Sequence, residues 1–448
     1  MLQYSTKMRC NTWIFSILII FHRVCGRRHF RKFTTQNRCF LLFTLITASG
    51  SSALVHAELD IRQRLLMSSQ WNETRQHTQF NPGIFAVEQR HQQIALDNDL
   101  KLAVHPNVSA ATRFAWIGEQ TNFTANAGGN SSERDLSAVL LEAELSWHSR
   151  FRTRQLRIGR IKPQWSQGFN WPVLDLLRPD RSRPNFDQDN LRQQQGFDMI
   201  NVRWRQSSWG LSALVATMDD SQYAAQHQSA LRLSHEGSVD SSLIWHYLPG
   251  VGHQWGASLS ILISDASSLR VESSYERQRD RPEFDAQGST ALASDGYLKT
   301  LIGYQYSLEQ WDIRAEYLYN QHAYNNSEQQ QLNQLSDTFA QRLTSAEAAQ
   351  SYAFFASVNQ AMAQGQSSRH GLYLMYTNQR DQGFWSWQQS VQLNTNDGSQ
   401  YHQLQLGQRW SDEWHSRVQL EYFTGNEQSE FGRLPSQFNA RASLYWSF

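Results

Sequence analysis

The sequence QFNARASLYWSF, residues 437–448, decides how the rest of the chain is interpreted. Apolar residues alternate with mostly polar ones, which is the period of a β-strand that has one apolar face. The apolar face comprises Phe438, Ala440, Ala442, Leu444, Trp446 and Phe448. The pattern predicts a strand that turns one face to an apolar medium and the other to a polar one.

The same alternation recurs along the chain in about 18 segments, most of them about ten residues long. In LSAVLLEAELSWHS (136–149), the predicted apolar face comprises Val139, Leu141, Ala143, Leu145 and Trp147. About ten residues with aromatic side chains near the ends is the length of a tilted strand that crosses a bilayer. Aromatic residues make up 12 % of the chain, with 16 Trp, which suits membrane interfaces.

The lengths of the connections follow an odd–even rule. After even-numbered segments they are short, as at 106–107, 237–238 and 265–266, whereas after most odd-numbered segments they are long, as at 70–91, 162–196 and 322–368. Outer-membrane barrels have short periplasmic turns and longer outer loops. The sequence therefore predicts an all-β fold, a closed antiparallel transmembrane β-barrel of about 18 strands with both termini on the periplasmic side.

The first 57 residues have a different composition. A basic stretch (27–38) precedes an apolar run (39–50) and a small-x-small site at Val55 and Ala57, as in a secretory signal peptide. We expect residues 1–57 to be an N-terminal extension plus a signal peptide, and residues 58–448 to form the barrel. All three cysteines lie before Glu58, as do eight of 41 Lys and Arg and none of 40 Asp and Glu. The remaining 33 basic and 40 acidic residues argue against nucleic acid as a partner.

The C-terminal ASLYWSF resembles the C-terminal signature of Gram-negative outer-membrane barrels. The resemblance implies that Tyr445, Trp446 and Phe448 form an assembly signal read by the barrel assembly machinery. It also implies a multi-pass location in the Gram-negative outer membrane, among lipid and lipopolysaccharide. RIGRIKPQWSQGF (157–169), followed by LLRPD (176–180), is similar to a stretch of porin-like and alginate-export-like families in which a strand leads into a loop that folds toward the pore.

The loop 162–196 is accordingly predicted to fold inward and constrict the pore. Its mixed charges would set a size limit and a transverse field, although an ordinary exposed loop is also polar and rich in proline. The candidate constriction residues are Arg178, Asp180, Arg181, Arg183, Asp187, Asp189 and Arg192. A second long loop, 322–368, has helical spacing at Leu332, Leu335, Phe339 and Leu343, which predicts one or two helices at the outer mouth.

Strand parity predicts which arginines face the lumen. With Phe448 outward, a basic wall would comprise Arg62, Arg64, Arg157, Arg203, Arg205, Arg409, Arg417 and Arg441. Parity and closure of the barrel would bring Arg441 beside Arg62 and Arg64. Arginine suits bidentate contacts to carboxylates and phosphates. These arginines could equally pair with Glu142, Glu144, Glu316 and Glu421 and only satisfy a polar interior.

The sequence favours a passive outer-membrane channel for small polar or acidic solutes, with an Arg/Asp-lined lumen. It contains no G-x-S-x-G, H-E-x-x-H or P-loop motif, so no enzyme activity, cofactor or metal is predicted. The alternatives are a plugged barrel that acts in surface-polymer export or assembly, an outer-membrane barrel enzyme, and an exported soluble β-protein. The sequence does not determine the oligomeric state, and a homo-oligomer is among the states that it allows.

Overall fold

A computed structural model describes residues 58–75, 77–124, 130–177, 191–218, 226–277, 282–285, 288, 290–292, 295–364, 369–378 and 385–448. The predicted signal peptide lies outside the described residues. So do six of the candidate constriction residues, namely Arg178, Asp180, Arg181, Arg183, Asp187 and Asp189.

Twenty strands, two α-helices and one short 3₁₀ helix (Leu191–Gln194) make up the described structure. The strands are β1 (Glu58–Thr74), β2 (Val87–His105), β3 (Val108–Thr124), β4 (Asn130–His148), β5 (Arg154–Ile161), β6 (Phe197–Gln206), β7 (Trp209–Met218), β8 (Gln226–His235), β9 (Val239–Leu248), β10 (Gly252–Ser264), β11 (Ser267–Glu276), β12 (Pro282–Phe284), β13 (Thr290–Leu292), β14 (Tyr297–Ser307), β15 (Trp311–Asn320), β16 (His370–Asn378), β17 (Trp385–Asn394), β18 (Gln400–Arg409), β19 (Trp414–Thr424) and β20 (Ser436–Ser447). The helices are α1 (Asn326–Arg342) and α2 (Ala348–Gln364).

Eighteen of the strands form one closed antiparallel barrel, and β12 and β13 form a separate hairpin. Each barrel strand pairs with its sequence neighbours, and β1 pairs with β20 to close the ring. The prediction of an 18-strand barrel with alternating short and long connections is confirmed. We call the end with the short connections the turn end and the opposite end the loop end.

The distribution of exposed side chains is the reverse of that in a soluble protein. On β10, the exposed fractions of Trp255 and Leu259 are 48 % and 53 %, whereas that of Ser258 is 7 %. Gln254 and Gly256, which share the inward parity of Ser258, are also buried. Apolar residues on the outside and polar residues on the inside are what a hydrocarbon surround and a wet lumen require.

Outward-facing aromatic residues form two belts at the ends of the barrel strands. The turn-end belt comprises Trp147, Trp204, Trp209, Trp311, Tyr376, Trp387, Trp414 and Trp446, and the loop-end belt comprises Trp71, Trp245, Tyr247, Trp255, Tyr275, Tyr317, Tyr319, Tyr422 and Phe438. Trp311 and Tyr319 lie at opposite ends of β15, so about 26 Å of strand separates them. With the usual tilt this is about 20 Å of height, close to the apolar band of outer-membrane barrels.

One predicted strand face is wrong. The pairing of β3 with β4 shifts between Arg113, opposite Glu142, and Phe114, opposite Leu140, so Leu141 is an extra residue. A β-bulge places two consecutive side chains on the same face. Val139 and Leu141, both predicted to face outward, are therefore buried inside the barrel, whereas Leu145 and Trp147, beyond the bulge, follow the predicted parity.

The two helices stand at the loop end and have an apolar core of their own. Asn325 and Glu328 form a capping box that begins α1. Phe339 of α1 and Phe354 and Phe355 of α2 pack with Phe80, which comes from the β1–β2 connection. Among the described residues, no helix is long and apolar enough to span a membrane.

The connections around this core are tied to one another. Tyr324 Oη donates to Pro282 O (2.6 Å), and Asn359 Nδ2 donates to Phe80 O (2.8 Å). Arg433, in the β19–β20 connection, is buried with its guanidinium 5.1 Å from the Phe80 ring centroid. Burial lowers the pKa of the Arg433 guanidinium, and the nearby Glu430 and Asp397 carboxylates oppose that shift. Several outer loops thus form one packed layer, which we call the outer cap.

Replacing Leu259 with Arg tests the orientation of the barrel wall. Leu259 faces outward near the middle of β10, so a cation there should lower the free energy of unfolding by about 2–4 kcal/mol. Val239, which faces outward at the turn end of the neighbouring strand β9, provides the matched control Val239→Arg, for which about 0–1 kcal/mol is expected. Urea unfolding of barrels folded into phospholipid vesicles measures both. Equal small losses would contradict a lipid-facing β10.

Candidate functional site

The segment that follows β5 lies against the inside of the barrel. Residues 162–177, which we call the inner segment, bring Trp165, Leu174, Leu176 and Leu177 into one buried apolar cluster with side chains of the wall. The wall side of this cluster comprises Met199 on β6, Leu214 and Ala216 on β7, Ala230 on β8 and Ile244 on β9. Apolar residues at these inward positions are explained by the chain that covers them.

A second apolar cluster holds the middle of the inner segment farther around the ring. Trp171 and Val173 pack with Leu301, Leu318, Tyr373 and Met375, which belong to β14, β15 and β16. A Cβ at Gly371 would lie 2.8 Å from the Trp171 ring, so the absence of a side chain on β16 makes room for the indole. The inner segment therefore contacts about half of the barrel wall.

Two buried carboxylates hold the backbone of the inner segment. Glu272 on β11 accepts from the Ser166 hydroxyl (2.5 Å) and from the Gln167 N–H. Glu316 on β15 accepts from the N–H groups of Phe169 (2.6 Å) and Asn170 (2.9 Å). Because an unpaired backbone N–H away from water is costly, these carboxylates compensate for the irregular backbone between them.

Phe169, near the middle of the inner segment, lies between two guanidinium groups. Arg270 and Arg314 have their Cζ atoms 3.9 Å and 3.6 Å from its ring centroid. Arg270 also forms an ion pair with Glu316 (2.7 Å), the carboxylate that holds the adjacent backbone. Two cation–π contacts thus hold the Phe169 side chain, and the ion pair of Arg270 with Glu316 joins them to the carboxylate that holds its backbone.

The loop returns to β6 along a different part of the wall. Leu191 joins a buried cluster with Leu66, Ile117, Leu141 and Tyr445. Gly196 N donates to Leu141 O (2.8 Å), so the bulge residue of β4 also receives the returning backbone. Arg192, the one candidate constriction residue that the structure describes, contacts Glu119 (3.1 Å) and Asp135 on β3 and β4.

Two arginines of the predicted basic wall meet at Tyr445. Arg64 and Arg417 lie 5.8 Å and 5.1 Å from its ring centroid, from β1 and β19 respectively. Arg64 pairs with Asp97 (3.1 Å), and Arg113 on β3 pairs with the same carboxylate (2.7 Å). Sequence parity did not single out Arg113, although it lies opposite Asp99 on the inward face. We call Arg64, Asp97, Arg113, Arg417 and Tyr445 the seam cluster.

The predicted proximity of Arg441 to Arg62 and Arg64 is wrong. Arg64 lies opposite Ser447, whereas Arg441 lies opposite Gln70 and donates to its side-chain oxygen (3.0 Å). Six residues of strand, about 20 Å, separate the two positions. Parity determines only the face of a residue, and the stagger between β1 and β20 determines its height.

The remaining predicted wall arginines are distributed between the turn-end rim and the β5–β6 wall. Arg62, Arg205 and Arg409 pair with Asp60, Glu236 and Asp412 and have 72 %, 51 % and 60 % of their side chains exposed. Arg157 pairs with Glu144. Arg203 is exposed on β6, where it faces Gln155 and Ser212 on the neighbouring strands.

The fold is similar to that of several solved outer-membrane porins. OccK7 (OpdD) of Pseudomonas aeruginosa is similar with a TM-score of 0.52 and 8 % identity, covering 88 % of this chain and 99 % of that one. The chain has the fold of an outer-membrane porin. OccK5 (OpdH) of the same organism has a TM-score of 0.48 and 11 % identity, covering 89 % of this chain and 99 % of that one. OprD, also from P. aeruginosa, has a TM-score of 0.46 and 9 % identity, covering 90 % of this chain and 97 % of that one.

No protein-family model and no curated protein sequence matches the chain. At identities near one in ten, the structural likeness concerns the porin fold alone.

Replacing Glu316 with Ala tests the attachment of the inner segment. The change leaves Arg270 without its buried partner and the N–H groups of Phe169 and Asn170 without their acceptor, which should cost about 3–5 kcal/mol of unfolding free energy. We expect larger current fluctuations in single-channel recordings because the segment is released. Glu421→Ala is the control, since Glu421 bonds to Tyr401 and Asn439 of the wall. Identical recordings from both variants would contradict the assigned role of Glu316.

Proposed function

We propose that the protein is a passive outer-membrane channel for small polar or acidic solutes. Two observations together carry the proposal. The inner segment is fixed to about half of the barrel wall, and an arginine-rich cluster lies inside the barrel on the part of the wall that the segment does not cover. The contacts of residues 162–177 run across β6–β11 and β14–β17, whereas the seam cluster lies on β1, β2, β3, β19 and β20. Solutes would pass between the inner segment and the seam cluster.

The seam cluster suits recognition of charged solutes because it combines fixed cations with carboxylates. Arg64 and Arg113 share Asp97, so their charges exceed that of the common partner. Asp99 and Glu142 lie opposite Arg113 in the strand register. Such a wall would produce a field across the passage that orients a dipolar or acidic solute. Permeation would depend on the width of the passage and on this electric field. The solute would not bind tightly enough to slow its exit from the channel.

The second candidate is a plugged barrel that acts in surface-polymer export or assembly. The apolar anchorage of Trp165, Trp171 and Leu174 favours it, because a segment held by a buried core is difficult to displace. A barrel enzyme is a further alternative from the sequence. Single-channel conductance in planar bilayers separates these functions: steady open currents support the channel, and their absence from correctly folded protein would support a plug or an enzyme.

Removing the seam cations should reduce anion preference. In Arg64→Ala/Arg417→Ala, the ratio of chloride to potassium permeability should fall by a factor of about two to five, since two fixed charges beside the passage are lost. The reversal potential in a KCl gradient measures this ratio, and the change should shrink at high salt. Arg154→Ala, which removes a cation from the outward face of β5, is the control. An unchanged reversal potential would place the seam cluster away from the ion path.

The charged residues between positions 177 and 191 of the loop 162–196 provide an independent test of the proposed channel. We expect Arg178→Ala/Arg181→Ala/Arg183→Ala to change ion selectivity if this stretch constricts the passage, because three cations leave the narrowest part. Reversal potentials and conductance are again the measurements. Arg342→Ala, on the exposed surface of α1, is the matched loop-end control. Selectivity equal to that of the parent protein would place the stretch outside the pore.

A further inference from the structure

The outer surface of the barrel carries a groove at the loop end of three adjacent strands. It is lined by Trp245 of β9, His253 and Trp255 of β10, and Tyr275 and Arg277 at the end of β11, with a volume of 400 Å³. The lining residues on the strands have outward parity, and the groove lies within the loop-end aromatic belt. It therefore opens toward the lipid interface and not into the lumen.

Hydrogen bonding in the groove determines which nitrogen of His253 carries a proton. The Trp245 indole N–H lies 3.2 Å from His253 Nδ1, and an indole nitrogen can only donate. Nδ1 therefore accepts with its lone pair, and the neutral ring carries its proton on Nε2. The His253 ring is also held against Trp245 and Tyr247, with centroid distances of 5.8 Å and 5.1 Å. The groove thus presents an oriented N–H donor.

Arg277 adds a full positive charge beside this donor. It is exposed, and no ion pair joins it to a carboxylate among the residues that the structure describes. Among the described residues that line the groove, none is Asp or Glu. A Cβ at Gly296 would lie 2.4 Å from the Tyr275 hydroxyl, so the missing side chain lets Tyr275 pack against the connection that follows β11. Three aromatic side chains, one cation and one N–H donor thus line the same groove.

We propose that this groove binds the phosphorylated headgroup of a lipid in the outer leaflet. Arg277 and the His253 Nε2–H would donate to phosphate oxygens, for which charge-assisted bonds from arginine are well suited. Trp245, Trp255 and Tyr275 would contact the part of the lipid between headgroup and acyl chains, where amphipathic rings are favoured. Position on the lipid-facing surface and charge complementarity together select a phosphate-bearing lipid as the occupant.

Native mass spectrometry of the detergent-solubilised full barrel with added diphosphoryl lipid A tests the proposal. Arg277→Gln should weaken binding about tenfold, the effect of losing one charge-assisted contact. His253→Phe keeps the ring stack without the donor and should weaken it by a smaller factor. Dephosphorylated lipid should bind the parent protein as weakly as diphosphoryl lipid A binds Arg277→Gln. Heat-modifiable migration on a gel verifies that each variant is folded.

Arg90→Gln is the matched control. Arg90 is also exposed at the loop end and lies opposite Trp71 on β1, but it is not part of the groove. Equal loss of lipid in Arg90→Gln and Arg277→Gln would overturn the proposal in favour of general charge attraction. Unchanged binding in Arg277→Gln would also overturn it. Competition by inorganic phosphate alone would show a simple anion site and contradict the choice of a lipid.

Discussion

The pairing of β1 with β20 is the constraint on which the rest of the structure depends. Inside a bilayer no water satisfies the free N–H and C=O groups of a strand edge, so a sheet can cross only as a closed ring. Gln63 and Phe448 exchange backbone hydrogen bonds of 3.1 Å and 3.0 Å at this closure. Phe448 is therefore hydrogen-bonded to β1 through its backbone. Without this contact, β1 and β20 would both be open edges.

Closure separates two environments, and each has its own chemistry. The outside carries apolar residues between two aromatic belts, and one part of the loop-end belt forms the groove around Arg277. The inside carries polar side chains wherever no protein covers the wall, and apolar ones where the inner segment or Leu191 does. Apolar residues that face inward thus indicate contact with the loop. The carboxylates of Glu272 and Glu316 perform the complementary task, since they accept hydrogen bonds from backbone that belongs to no strand.

The outer cap shows a third arrangement in the same chain. Helices α1 and α2 bury phenylalanines against the β1–β2 connection, as a soluble domain would, because water surrounds them. Arg433 lies buried among these connections, and its contact with Phe80 joins the β19–β20 connection to the same layer. The closing strands β1 and β20 are therefore tied both through the barrel wall and through the cap above it.

The sequence by itself determined the fold class, the number of strands and the end of the barrel at which the long connections lie. Period-two alternation and connection length are local properties, and a bilayer imposes them on every strand. Only the tertiary structure decided the register, because sliding one strand past another by two residues preserves every inward face. For this reason parity gave the face of Arg441 correctly but not its partner, Gln70. The β4 bulge, the meeting of Arg64 with Arg417 at Tyr445, and the binding of Phe169 by Glu316 all depend on residues far apart in sequence. Their distances are decided by the stagger of the closed ring and by the course of the chain inside it.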